Sequence, residues 1–440
     1  ALRFAEWNYG PMLWRMHTLS ALLTQKSSLA DNISIVAGYQ NYEESRIDRA
    51  LGSSIRTKQS EEVDAYSLNV DATKRLGNGQ LFYGLETVYN KVGSFGYQTS
   101  IVNGNTSLSA TRYPNGSTWA TMGIYGSYKH NLSAHTTLTG GLRYSFNLLK
   151  ATFDTSFIPF PYKKAELNDG SITGNLGVAY RPDNTWQLNG NISTGYRMPN
   201  VDDIGKLFES TPGNVTVPNP ALKPEFAVNF EAGIIKDILN KLRVELNAFH
   251  TILTDAIVRR PFSFNGQDSI AFGGIRSRVE ALQNVAKATV WGVQGSFRYH
   301  IGNSLYLQTN ANWIWGRETD DARNEQVPLR HAPPFYGSTH LHYRMNKLHA
   351  ELYAFYNSEV RYEDLAPSEQ AKPDIYAKDG QGRPFSPGWY TLNAKLSYPV
   401  LKNLFMAAGW ENITDQRYRP YSSGIVAAGS NLIVSLKASF

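Results

Sequence analysis

The chain is expected to fold as an all-β protein, a transmembrane antiparallel β-barrel, and three observations carry that expectation. Apolar and polar residues alternate with period two along much of its 440 residues, the spacing that sends successive side chains to opposite faces of a strand. The connections between alternating segments are short and long in strict turn, as in an outer-membrane barrel with tight turns at one rim and long loops at the other. The final stretch, Ser430 to Phe440, sets Leu432, Val434, Leu436, Ala438 and Phe440 against Asn431, Ser435, Lys437 and Ser439, with Ile433 the one apolar residue on the second face. An apolar strand left bare at a chain end invites aggregation in water, whereas lipid would cover it.

Taken in order, the tight turns are read at Lys26–Asn32, Lys74–Gln80, Lys129–Thr136, Arg181–Thr185, Ile235–Lys241, His300–Ser304, Arg344–Leu348 and Pro399–Asn403. Each is rich in the Asn, Asp, Gly, Ser and Lys that such turns use. The long connections fall between them, at Ser45–Gln59, Val92–Gly116, Lys150–Gly170, Arg197–Pro224, Val258–Lys287, Gly316–Pro334, Val360–Gly388 and Asn412–Gly429. Loops of that length without a regular pattern are commonly functional.

The segments between the connections alternate over about ten residues or more, enough for a tilted spanning strand. In Thr185–Tyr196, Trp186, Leu188, Ile192 and Tyr196 oppose Gln187, Asn189, Asn191 and Ser193. In Ser304–Trp315, Leu305, Leu307, Ala311, Trp313 and Trp315 oppose Tyr306, Gln308, Asn310 and Asn312. Arg243 and Glu245 fall on the polar, lumenal side. His250 is out of place, in phase with the apolar Leu242, Val244 and Leu246; a bulge or an interfacial position would account for it.

Bulk composition agrees with this class. Only 42% of the residues are hydrophobic and the mean hydropathy is negative, because barrel strands hide their lipid face by alternation. No run of about eighteen apolar residues offers a spanning helix. Aromatics reach 12%, with 26 Tyr and 9 Trp, which suits interfacial girdles and also sugar-binding sandwiches. The absence of Cys removes disulfides and thiolate metal sites. A net charge of +6 without a basic run gives no reason to expect a nucleic-acid partner.

Roughly seventeen strands are counted, an odd number where bacterial single-chain barrels are even. With the C-terminus periplasmic and the long loops extracellular, Ala1–Met12 would lie outside the cell. The expectation is therefore a sequence lacking its N-terminal part. Plugged transporters have about 22 strands, which would leave about five and a plug outside this sequence, with residues 1–440 forming the C-terminal portion of the barrel domain.

At Tyr196–Asn200 the chain reads YRMPN, followed by VDDIGKLFES and by NPALKPE at Asn219–Glu225. These resemble the FRAP and NPNL boxes of TonB-dependent outer-membrane receptors, and ENITDQRYRPY from Glu411, with the terminal strand, resembles that family's C-terminus. The resemblance implies energised uptake of a scarce nutrient, a haem or ferric siderophore, rather than enzymatic chemistry. It implies partnership with the TonB energy-coupling complex through a plug not found in this sequence and contact with outer-membrane lipid and lipopolysaccharide, and it leaves open whether a surface lipoprotein assists capture. No permanently bound cofactor is implied; haem or a ferric chelate would be cargo. VDDIGKLF and VPNPALKPE look most like the haemoglobin, transferrin and haem-uptake branch. Haem receptors often carry a histidine between the two boxes, and Asn200–Pro218 has none. A siderophore receptor is the nearest alternative.

Ligand contact is expected from Arg197, Asn200, Asp202 and Asp203 in the first box, from His331 and Tyr336 in PLRHAPPFYG, and from Arg419 and Tyr421 near the C-terminus. Arg can grip carboxylates in a bidentate fashion, aromatics stack on planar chelates, and His supplies an axial ligand to haem iron. Against this, Pro199, Pro218, Pro220 and Pro224 also suit a rigid hinge over the barrel mouth, and the basic rim suits lipopolysaccharide. His340, His342 and His349, with Glu351, are read as lumen-facing polar residues rather than a metal site. A passive porin would share the strands without the two Pro-rich boxes. An enzyme would need a convergent set, and Asp202, Asp203 and His331 come from separate loops without a supporting motif.

Overall fold

A computed structural model describes residues 4–439 except 25, 212, 273, 321–324, 371 and 373–374. Ala1 and the terminal Phe440 lie outside the described residues. Among those described, seventeen long strands run from Leu13–Thr24 to Asn431–Ala438, each hydrogen-bonded antiparallel to the next long strand in chain order. The eight tight turns all fall where the composition places them, the shortest reduced to two residues, Gly77 with Asn78, Asn346 with Lys347 and Lys402 with Asn403. Gly77 and Asn346 there take positive φ, the conformation such two-residue hairpin loops demand. Leu13–Thr24 and Asn431–Ala438 each have one described strand neighbour, so the sheet is open between them.

Lipid and lumenal faces separate as the alternation requires. Leu432, Val434 and Leu436 are exposed on the outside of the last strand, as are Leu188, Ile192, Trp313 and Trp315 further back. Trp291 stacks on Trp315 at 4.3 Å and Trp313 meets Phe335 at a tilt with 4.7 Å between ring centres, forming part of an aromatic belt of the kind found at membrane interfaces. Inside, Arg243 reaches Glu245 at 2.5 Å and Asp237 at 2.9 Å. His250 sits opposite Phe230 on one side and Trp291 on the other. Its register with the preceding strand is unbroken from Leu242 to Thr254, so a position among the belt aromatics, not a bulge, explains its phase.

The long connections depart from expectation in one respect. Strands Ile55–Leu76 and Gly79–Ser100 have 22 residues each, and Ile275–His300 has 26, against the ~9–11 needed to span. The excess projects from the long-loop rim. Within the expected loop Ser45–Gln59, Arg46 pairs with Gln59, Ile47 with Lys58 and Asp48 with Thr57, leaving 51–54 as the connection. Val258–Lys287 likewise holds the ends of two paired strands. Above the membrane both strand faces meet water or other loops, so the apolar alternation stops while the backbone ladder continues. On the outer face of Ile55–Leu76, exposed Tyr66 and Leu68 give way to exposed Glu62, Lys58 and Arg56, which marks where the lipid face ends.

Two apolar clusters fill the mouth. One gathers Val92, Leu149, Phe153, Val201, Ile204 and Leu222; the other Leu207, Val215, Val217, Phe264, Val279 and Ala281. They fasten the segments between the Pro-rich boxes to the projecting strands.

Candidate functional site

The mouth holds two separate constellations, and the expected site residues divide evenly between them. The first is built on the one-turn helix Val201–Gly205. Asn200 caps it, its side-chain oxygen accepting from the Asp203 N–H at 3.0 Å while Asp203 accepts from the Asn200 N–H at 3.0 Å. This reciprocal pair satisfies two backbone donors that a helix start leaves open. Arg197 grips Asp203 through both terminal nitrogens, at 2.8 and 3.1 Å, and reaches Glu225 at 3.0 Å. Asp202 accepts from Tyr113 at 2.6 Å and pairs with Lys206 at 2.9 Å. Burial pushes the Asp203 carboxyl above the usual range, against the pull of the Asn200 N–H and the Arg197 charge. Ile204 is fully buried beneath, and Pro199 and Pro218 are buried on either side.

The second Pro-rich box is knitted into the neighbouring strands. Asn219 donates to the Leu282 carbonyl at 2.7 Å, Lys223 N–H to Asn284 at 2.8 Å, and Tyr162 to the Pro218 carbonyl at 2.5 Å. Arg197, Asn200, Asp202 and Asp203 thus direct their polar groups at one another and at the loop's own frame.

The second constellation brings His331, Tyr336 and Tyr421 to one hollow of about 520 Å³, with Phe355, Asn357 and Trp389. Arg419 lines an adjoining hollow of about 310 Å³ that shares Trp389, and it donates to the Ile375 carbonyl at 3.1 Å. Tyr418 stacks on Trp389 at 4.1 Å. The first volume falls in the range of small-molecule sites.

Glu369 holds this hollow together. It is completely buried, accepts from Arg330 at 2.7 Å, Lys372 at 3.2 Å and Ser422 at 2.9 Å, and is also bonded by Tyr376. Three loops therefore converge on one carboxylate, the partnering a buried charge requires. Burial pushes its carboxyl up, yet the Tyr376 bond, the Lys372 charge, the Ser422 bond and the Arg330 charge together hold it down at about 2. His331 lies 3.8 Å from the same carboxylate. Burial, with the charge of Arg330, holds its imidazole below the ordinary histidine range despite Glu369, so it is neutral at pH 7 and has a nitrogen lone pair to offer. Burial, with the Glu369 charge, pushes the Tyr421 hydroxyl up to about 12, which keeps it a phenol.

Sequence reasoning missed Glu369, Trp389 and Phe355. Trp389–Tyr390 directly after a long Pro-rich connection was an available signal; nothing in the local PSEQ marks Glu369. His349 stands apart from its expected companions, whereas His340, His342 and Glu351 come together on the wall below.

The model of the TonB-dependent receptor-like β-barrel matches residues 4–413. The chain belongs to that family. Its members are outer-membrane proteins, and the barrel is accordingly one of the bacterial outer membrane. Among curated relatives, the iron-regulated outer membrane virulence protein of Vibrio cholerae El Tor Inaba N16961 is 22% identical over 262 residues, covering 59% of this chain. The chain spans 38% of that relative's length. Similar solved structures include the copper transporter OprC, with TM-score 0.79 and 14% identity over 97% of this chain and 65% of that one. The ferric enterobactin receptor PfeA of Pseudomonas aeruginosa gives 0.71 at 16% identity, over 98% and 62%. The Serratia marcescens hemophore receptor HasR, solved with its hemophore and heme, gives 0.69 at 14% identity, over 98% and 66%. At these identities the likeness is one of fold.

Proposed function

We propose that this barrel takes up an iron-containing nutrient, haem or a ferric siderophore, across the outer membrane by an energised route, catching it at the long-loop mouth. The observation that carries the proposal is the Glu369-bound hollow, where a neutral imidazole, the five aromatic rings of Tyr336, Phe355, Tyr356, Trp389 and Tyr421, and a nearby guanidinium converge. Rings stack on planar chelates or porphyrins, Arg pairs with their carboxylates, and neutral His can ligate iron. A barrel of this width needs a plug, and moving a plug needs energy. TonB, acting through a plug beyond this sequence, is the partner this requires. The long loops would face outward, the C-terminus the periplasm, and the basic rim lipopolysaccharide; a surface lipoprotein could deliver cargo. The action is binding and passage, with no covalent step.

Trp389 supplies the readout. Titrating the purified chain with haemin and with a ferric tris-catecholate should quench its fluorescence saturably for one of them. Tyr421→Ala should weaken that binding at least about tenfold, the order of one lost aromatic contact in a desolvated pocket. Saturation by neither chelate would remove the hollow as the capture site.

A further inference from the structure

We infer that His340, His342 and Glu351 form a binding site for a divalent transition-metal ion on the lumenal wall of the barrel, separate from the mouth. His340 and His342 are two residues apart on strand Tyr336–Met345, so both point to the same face. Glu351, on strand Leu348–Asn357, lies directly opposite His342. One ligand atom from each of the three lies within 4.8 Å of the others. His340 Nδ1 is already 2.6 Å from Glu351 Oε1.

The surroundings hold the rings in place. His342 stacks on Tyr306 at 4.4 Å, His340 on Tyr353 at 5.3 Å, and the two imidazoles lie 5.8 Å apart with only 9° between their planes. All three side chains are half-buried, which leaves them open to an ion in the lumen while partly shielding it from competing water. Two metal bonds of about 2.1 Å span at most about 4.2 Å, so a small rotation of the rings closes the set around one ion. Arg298, two strands away, is turned onto Gln308 of the intervening strand at 3.1 Å, and Lys395 stands opposite Glu351. Charge on this wall is therefore mixed, and selection must come from ligand type.

Two imidazoles and a carboxylate are borderline donors that suit Cu²⁺ and Zn²⁺ over Mg²⁺ or Ca²⁺, with Cu²⁺ the tighter. Three protein ligands leave further coordination positions for water or for a group carried past on cargo. His342, Glu351 and His340 lie four, five and six residues from Asn346 in the turn, about 10–15 Å above the short-turn rim at ordinary strand rise and tilt. An ion held there would sit in the lumen beneath the mouth hollow.

The test is a titration of the full chain, folded in detergent and stripped with a chelator, using Cu²⁺ alone and reading calorimetry and electron paramagnetic resonance together. One Cu²⁺ per chain should bind, with hyperfine coupling to two imidazole nitrogens. His342→Ala should remove one coupled nitrogen and weaken binding at least about tenfold. His342→Gln, close in size, should do the same if the alanine variant loses its β-sheet circular dichroism. His349→Ala, on the same hairpin but outside the set, should leave both readouts unchanged. A folded chain that binds no stoichiometric Cu²⁺ would overturn the assignment. So would folded His340 and His342 variants that bind as the unaltered chain does.

Discussion

Glu369 and Glu61 are both buried carboxylates above the lipid face, and their surroundings set them in opposite states. Glu369 is surrounded by donors and cations and held at about 2. Glu61 is pushed up to about 7, chiefly by burial, and among the described residues neither of its oxygens has a hydrogen-bond partner. The pH consequences have opposite sign. With a folded value below its ordinary 4.5, Glu369 contributes stability that is complete above that pH and is lost as pH falls toward 2. With a folded value above 4.5, Glu61 supports the fold below that pH and its contribution is lost as pH rises through 7. Glu61→Gln should therefore raise the melting temperature at pH 8 more than at pH 5. Equal shifts at both would contradict the burial account. Glu369→Gln should weaken chelate binding at the hollow and loosen its loops at neutral pH, seen as faster amide exchange around Ser422 and Lys372; unchanged exchange would remove Glu369 as the tie between them.

At the scale of the element, the helix Val201–Gly205 is short enough to depend on its cap and on one buried residue. Asn200→Ala should cost about 1 kcal/mol, and Ile204→Ala about 2–5 kcal/mol because a filled core position is emptied; denaturant unfolding measures both. The strands and tight turns were legible because lipid on one side and water on the other impose period two, and tight turns draw on few residue types. Strand ends were less so. In Arg46–Asp48 and Thr57–Gln59 Ile47 is the one apolar residue and it faces Lys58, so nothing in the pattern tells a projecting hairpin from a loop. The site divides in the same way. Local signals singled out Asn200 and Asp203, as ligand contacts and not as the helix cap they form, together with the loop residues His331 and Tyr421, but Glu369 reaches Arg330 and Ser422 across about forty to fifty residues of chain, and no local pattern encodes that.

At the scale of the molecule, a meander with a greasy outer face, a polar lumen and a mouth tied by buried charge is suited to catching cargo and passing it inward. A passive pore would let solutes through in proportion to their concentration. An energised receptor would saturate and would depend on the inner membrane. The measurement that separates the two is accumulation of ⁵⁵Fe by iron-starved cells producing the receptor, given as haemin or as a ferric tris-catecholate, with and without collapse of the proton gradient. Uptake of one of them that saturates and disappears when the gradient is collapsed is the predicted result. Entry that rises linearly with concentration and ignores the gradient would contradict it.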